Sequence, residues 1–236
     1  MSTRIGNIVI EAPDPTLLAE FYGELLGLPI LQRPPDWLMI GREGRRPKLA
    51  FDGVPAGWRP PRWPDPAYPQ QVHLDIGVPD RAAVEEWLPA RGATRPEHPD
   101  PHIWVDPAGH PICLNERPGP PGIDMVVLDS GDHEALAAFY CELLGLEPTS
   151  RGPDWVGIGE GTETPLGFTT IDRHTRSTWP DPAYPQQMHL DIGTEDRAAL
   201  ARAEQLGATR LPAVGGGCPV YADPAGHPIC LCLPGE

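Results

Sequence analysis

The chain has 236 residues, including 33 prolines and 26 glycines, with 18 basic against 33 acidic side chains and a formal net charge of −15. A domain typically holds roughly 100–150 residues, so the length suggests two. A nucleic acid or anionic membrane would have to approach against the chain's own field, so neither is expected as a partner. No apolar run is long enough to span a bilayer, and Met1-Ser2-Thr3-Arg4-Ile5-Gly6 has no apolar leader core, so a cytoplasmic location is expected.

The five cysteines are Cys113, Cys141, Cys218, Cys230 and Cys232. Their odd number and the lack of a CxxC pair point to free thiols in a reducing compartment.

In chain order, Asn7-Ile8-Val9-Ile10 reads as a strand, and Asp14 with Pro15 forms a helix start. Leu17, Leu18, Phe21 and Leu25 share a helical face, and Gly27 is placed to stop the helix. Trp37-Leu38-Met39-Ile40 and Leu49-Ala50-Phe51 read as short strands. Trp63-Pro64-Asp65-Pro66-Ala67-Tyr68-Pro69-Gln70-Gln71 is too proline-rich for helix or central strand and is expected to be a stiff connector. A second unit opens with Val72-His73-Leu74-Asp75-Ile76. Its helix is capped by Asp80, runs through Val84, Trp87 and Leu88, and closes near Gly92. Two last strands flank the turn Asp106-Pro107-Ala108-Gly109, with His110 expected as a turn residue in left-handed backbone.

The chain then repeats itself. Trp63–Gln71 recurs letter for letter as Trp179–Gln187, His73–Gly77 as His189–Gly193, and Asp106–Leu114 as Asp223–Leu231. Phe21-Tyr22 and Glu24–Leu28 match Phe139-Tyr140 and Glu142–Leu146, with the offset staying between 115 and 118 residues. This is a tandem duplication, with domains expected at 1–117 and 123–236 and a Pro/Gly linker at 118–122. Strand, helix and short strands occur twice per half, an α+β pattern. No GxGxxG, P-loop, GxSxG or HExxH motif occurs, and Gly215-Gly216-Gly217 has no following helix to cradle a phosphate.

The strand running into an Asp cap, the Phe-Tyr and Leu-Gly-Leu of the helix, and the Asp-Pro-Ala-Gly turn before a last strand resemble the vicinal oxygen chelate superfamily. That superfamily includes glyoxalase I, bleomycin-resistance proteins, fosfomycin-resistance enzymes and extradiol dioxygenases, and the resemblance is greatest to its glyoxalase-like domain members. It implies paired βαβββ modules curling around a groove, a small-molecule ligand, and a monomer or homodimer. Strand parity set against that picture places Val72, Leu74, Ile76 and Val78 in the core. His73 and Asp75 then point into one groove and His189 and Asp191 into another, with Cys113, Cys230 and Cys232 on the same faces.

Catalytic relatives hold a divalent metal with His, Glu or Gln on first and last strands. The matching positions here are Asn7, His73 and Cys113 in one half and Met125, His189 and Cys230 in the other, with Asp52 a weak fourth candidate. One ligand type of three survives per half, so the usual metal is not expected. A divalent metal remains possible, with His73 or His189 beside Cys113 or Cys230, a set suited to zinc or copper(I). Trp37 and Trp155, Trp104 and Tyr221, and Tyr68 and Tyr184 pair across the repeat, and flat rings around a polar floor suit a planar ligand. Trp63 and Trp179 are expected to pin the connectors.

The resemblance therefore implies binding of a small planar or aromatic molecule without the usual metal. The alternatives are a lyase, isomerase or dioxygenase with His73 or His189 as metal ligand or general base, and a structural or interaction module.

Overall fold

A computed structural model describes residues 3–33, 37–63, 72–179, 181, 187–212 and 217–234. The four repeats appear as four modules. The first holds β1 (Arg4–Ala12), α1 (Pro15–Leu26), β2 (Ile30–Gln32), β3 (Trp37–Ile40) and β4 (Lys48–Gly53). The second holds β5 (Val72–Val78), α2 (Arg81–Trp87) with a 3-10 turn at Leu88–Arg91, β6 (Ile103–Val105) and β7 (Pro111–Glu116). The third holds β8 (Gly122–Ser130), α3 (His133–Leu144), β9 (Pro148–Gly152), β10 (Trp155–Ile158) and β11 (Leu166–Thr170). The fourth holds β12 (Met188–Gly193), α4 (Ala198–Gln205), β13 (Thr209–Arg210), β14 (Val220–Ala222) and β15 (Pro228–Cys232). The α+β class and the modular duplication are as expected.

Helix α1 starts where Asp14 accepts a hydrogen bond from the Leu17 amide and stops where Gly27 adopts φ 63°. Its buried face is Leu18, Phe21, Tyr22, Leu25 and Leu26. Leu17, expected on that face, is half exposed, because the apolar stripe runs one position further round the helix.

The modules combine in an order that the two-halves picture misses. One sheet runs β13-β14-β15-β12-β1-β4-β3-β2 and the other β6-β7-β5-β8-β11-β10-β9. Module one therefore shares a sheet with module four, and module two with module three. The seams are the antiparallel pairs β1–β12 and β5–β8.

Connection length is the physical reason. Only residues 117–121 lie between β7 and β8, and Gly122 of the expected linker already belongs to β8. Five residues reach roughly 17 Å, enough to step over β5 at about 4.8 Å per strand spacing and little more. The connectors at 54–71 and 171–187 are long enough to reach the other sheet. Most of the expected stiff connector, Tyr68 and Tyr184 included, lies outside the described residues.

The faces of both sheets that pack against helices form one apolar core, containing Ile8, Ile10, Phe51, Leu74, Ile76, Val126, Leu128, Leu190 and Ile229. Two matching polar clusters tie the sheets together through it. Tyr22 of α1 donates to Asp106 Oδ2 (2.9 Å), and His110 Nδ1 lies 3.0 Å from the same oxygen. Tyr140, Asp223 and His227 repeat this at 3.0 and 2.8 Å. His110 and His227 are thus buried network residues, and the positive φ of each turn falls on Gly109 (106°) and Gly226 (98°) instead.

The expectation of free thiols also needs correction, since Cys218 and Cys232 form a disulfide with a Cα–Cα distance of 4.8 Å. The β14–β15 register, Val220 opposite Cys230, puts Cys218 directly across from Cys232. The neighbouring amide of Leu231 bonds to Pro219 O, so Cys218 and Cys232 occupy the close, non-hydrogen-bonded site of the ladder. Cys113, Cys141 and Cys230 are free.

Candidate functional site

Each sheet carries one groove face at its seam. In the first groove β1 contributes Asn7, Val9 and Glu11, and β12 contributes His189 opposite Val9 and Asp191 opposite Asn7. Cys230 of β15 lies beside Asp191, while Ala50 and Asp52 of β4 flank Val9 and Glu11. Trp37 of β3 stands across from Asp52.

The second groove repeats the plan with Met125 and Asp129 from β8, His73 and Asp75 from β5, and Cys113 from β7. Gly167 and Thr169 of β11 and Trp155 of β10 complete it. The triads grouped by half are thereby rearranged. Asn7 joins His189 and Cys230, and Met125 joins His73 and Cys113, because each seam crosses the duplication.

Trp104 and Tyr221 are not groove residues. They lie cross-strand from Ile112 and Ile229, so parity turns them into the core, where both are buried. Trp63 packs against His98 with the rings tilted at 46° and their centroids 4.5 Å apart, at the start of its connector.

Polar contacts close the first groove. His189 Nδ1 is 2.7 Å from Glu11 Oε1, and Nε2 is 3.5 Å from Asp191 Oδ1. Asn7 Nδ2 donates to Asp191 Oδ2 (2.9 Å), and Arg46 Nη1 donates to Asn7 Oδ1 (3.4 Å). Burial alone would lower the His189 pKa. The Glu11 charge and the hydrogen bonds that His189 makes with Asp191, Cys230 and Glu11 outweigh it and hold the imidazole pKa well above its usual range. Burial would raise Asp191, but its bond to His189 and the His189 charge, helped by Asn7, pull it down. The result is an imidazolium clamped between two carboxylates.

The second groove has the opposite character. Asp129, at the position matching Glu11, is one carbon shorter, and burial dominates the titration of His73. Desolvation takes its pKa down to about 4, leaving it neutral at pH 7. Its Nε2 lies 3.6 Å from Asp75 Oδ1. Burial, with repulsion from Asp124, raises Asp75 to about 6, and burial raises the Cys113 thiol to about 12.

Glu11 and Asp129 were not singled out from the sequence, yet a signal was there. Each is the lone charge in an apolar strand run, Ile8-Val9-Ile10-Glu11-Ala12 and Val126-Val127-Leu128-Asp129, four residues beyond Asn7 or Met125 and so on the same face.

The donor set bears on a metal. His189, Asp191 and Cys230 offer nitrogen, oxygen and sulfur atoms all within 4.8 Å of one another. The hard-ion set of catalytic relatives does not fit this site. Asn7 spends its amide on Asp191, Cys230 stands at the expected carboxylate position, and Ala50 carries no donor side chain.

The family model described as "Glyoxalase-like domain" matches residues 7–115 and again 125–232. Glyoxalase I from Zea mays superposes with a TM-score of 0.65 at 20% identity, covering 98% of this chain and 92% of that one. A putative dioxygenase from Bacillus subtilis subsp. subtilis str. 168 gives 0.65 at 15% identity over 100% and 86%. The cppA protein from Streptococcus pneumoniae TIGR4 gives 0.54 at 15% identity over 98% and 99%. No curated protein matches the chain. Among the described residues, no helix is long and apolar enough to cross a membrane.

Proposed function

Because the chain belongs to the glyoxalase-like domain family of the vicinal oxygen chelate superfamily, with two tandem matches, we propose that it binds a small planar organic molecule in its first groove without the divalent metal of its catalytic relatives. One observation carries this reading. His189, the residue at the metal-ligand position, has Glu11 on one ring nitrogen and Asp191 on the other. An imidazole protonated on both nitrogens has no lone pair for a metal, but it offers a fixed positive charge to a ligand. Trp37 across the sheet supplies a flat apolar wall. Both seams lie within one chain, which supports a monomer with complete grooves.

The test is a thermal-shift screen of planar metabolites and antibiotics against the full chain. A hit should lose its stabilisation in Trp37→Ala and in His189→Gln. A hit unaffected by both substitutions would place binding elsewhere and overturn the assignment.

The convergence of His189, Asp191 and Cys230 favours a second reading, a lyase, isomerase or dioxygenase built on a thiolate-tolerant ion such as zinc. It requires the Nε2 proton to be displaced and His189 to act as a ligand, with Glu11 orienting the ring.

A further inference from the structure

The second groove is paved differently from the first. Trp155 stands cross-strand from Thr169, which is itself beside Asp129. Its indole leans over Gly167, where an added Cβ would come within 2.1 Å of the ring and 2.7 Å of the Met125 sulfur. Ser150 Oγ accepts from the indole Nε1 at 3.3 Å and pins the ring. An indole and a thioether therefore lie on the sheet face between two carboxyls. Asp129 lies at one end, and Asp75, directly across from Met125, lies at the other. The four-residue offset from Met125 to Asp129 corresponds to roughly 13 Å along the strand.

Neither carboxyl is hydrogen-bonded to a cationic side chain among the described residues. Asp129 is 2% exposed, shares the groove face of Met125, and receives no hydrogen bond from a described side chain. Asp75 faces the neutral His73, and the nearby Arg117 is paired with Asp124 at 2.5 Å. Burial alone holds Asp129 at about 7, with the His227 charge opposing the rise. In the first groove the matching acids are closed off, Glu11 on His189 and Asp191 on Asn7. An uncompensated buried carboxyl costs stability, and a cation bringing its own N–H donors would relieve it. A polarisable aromatic floor favours a flat, delocalised cation over a compact one.

We infer that the second groove is a separate binding site for a flat aromatic cation, stacked on Trp155 and Met125 and hydrogen-bonded through its N–H groups to Asp129 and Asp75. This site does not depend on the reading of the first groove.

Proflavine, a three-ring cation with an amino group at each end, is the probe, titrated into the full chain by absorbance and tryptophan quenching. Saturable one-site binding is expected. It should weaken about tenfold in Asp129→Asn and in Asp75→Asn, and more in Trp155→Leu, but stay unchanged in His189→Gln. 9-Anthracenecarboxylate, with the same ring outline and the opposite charge, should bind at least a hundredfold more weakly. Binding in 0.5 M NaCl should fall by no more than a few-fold, since salt screens exposed charge far more than buried charge. Absence of saturable binding would overturn the inference. So would equal binding of the anion, insensitivity to Asp129→Asn and Asp75→Asn, or loss of binding in salt, which would mean adsorption to the acidic surface.

Discussion

Glu11 Oε1 and His189 Nδ1 sit 2.7 Å apart although 178 residues separate them in the chain. They meet because β1, the first strand, pairs with β12, the first strand of the last module. The pair is almost fully buried, and losing Glu11 leaves the buried His189 charge to the longer contact with Asp191 at 3.5 Å. Glu11→Gln should therefore destabilise the protein by about 3 kcal/mol, read as a lowered urea midpoint with unchanged m. A loss below about 1 kcal/mol would mean that water or another group already satisfies His189.

The two histidines at equivalent positions should titrate in opposite directions. His73 is held down to about 4, so its contribution to stability is present above pH 6.5 and lost as the pH falls through 4. His189 is held up, so its contribution is present below pH 6.5 and lost as the pH rises through its folded value. Imidazole resonances in a pH titration should show His189 charged and His73 neutral at pH 6. Both titrating together near 6.5 would contradict the asymmetry of the grooves.

Asp129 should respond to pH in its own way. Its folded pKa, raised to about 7, means a contribution present below 3.8 and lost as the pH rises through 7. Asp129→Asn is accordingly expected to stabilise the protein at pH 8, by up to about 3 kcal/mol, with the gain shrinking toward pH 5. Chemical denaturation at both pH values checks this, and a pH-independent effect would refute it.

Splitting the chain within 118–121 should leave neither half with a complete groove. Residues 1–117 would carry β1 and β5 without their seam partners, and exposed strand edges invite pairing with another copy. Sedimentation should show self-association of each half, and recovery of a 1:1 complex on mixing. A well-folded monomeric half would contradict the crossed assembly.

Much of the fold was legible in the sequence because its signals are local. Asp14, Asp80 and Asp132 cap helices, and Gly27 and Gly145 end them in left-handed backbone. Alternation in Val72–Val78 put His73 and Asp75 on one face and the apolar set on the other. The pairing of modules is not legible in the sequence, because it depends on which connector can reach which sheet, and the Pro/Gly composition of 118–122 marks a linker without saying how far it reaches. Trp104 and Tyr221 were misplaced because aromatic type says nothing about parity, whereas their partners Ile112 and Ile229 do. The Cys218–Cys232 bond was missed because it depends on the β14–β15 register, and counting cysteines carries no register.

The central claim is that His189 serves the first groove as an imidazolium and not as a metal ligand. Elemental analysis of untagged, chelator-free protein, before and after incubation with Zn, Mn, Fe and Ni, tests it most directly. The account predicts metal far below one equivalent per chain throughout. One equivalent of bound metal, lost in His189→Ala and in Cys230→Ser, would contradict it and move His189, Asp191 and Cys230 to a metal centre.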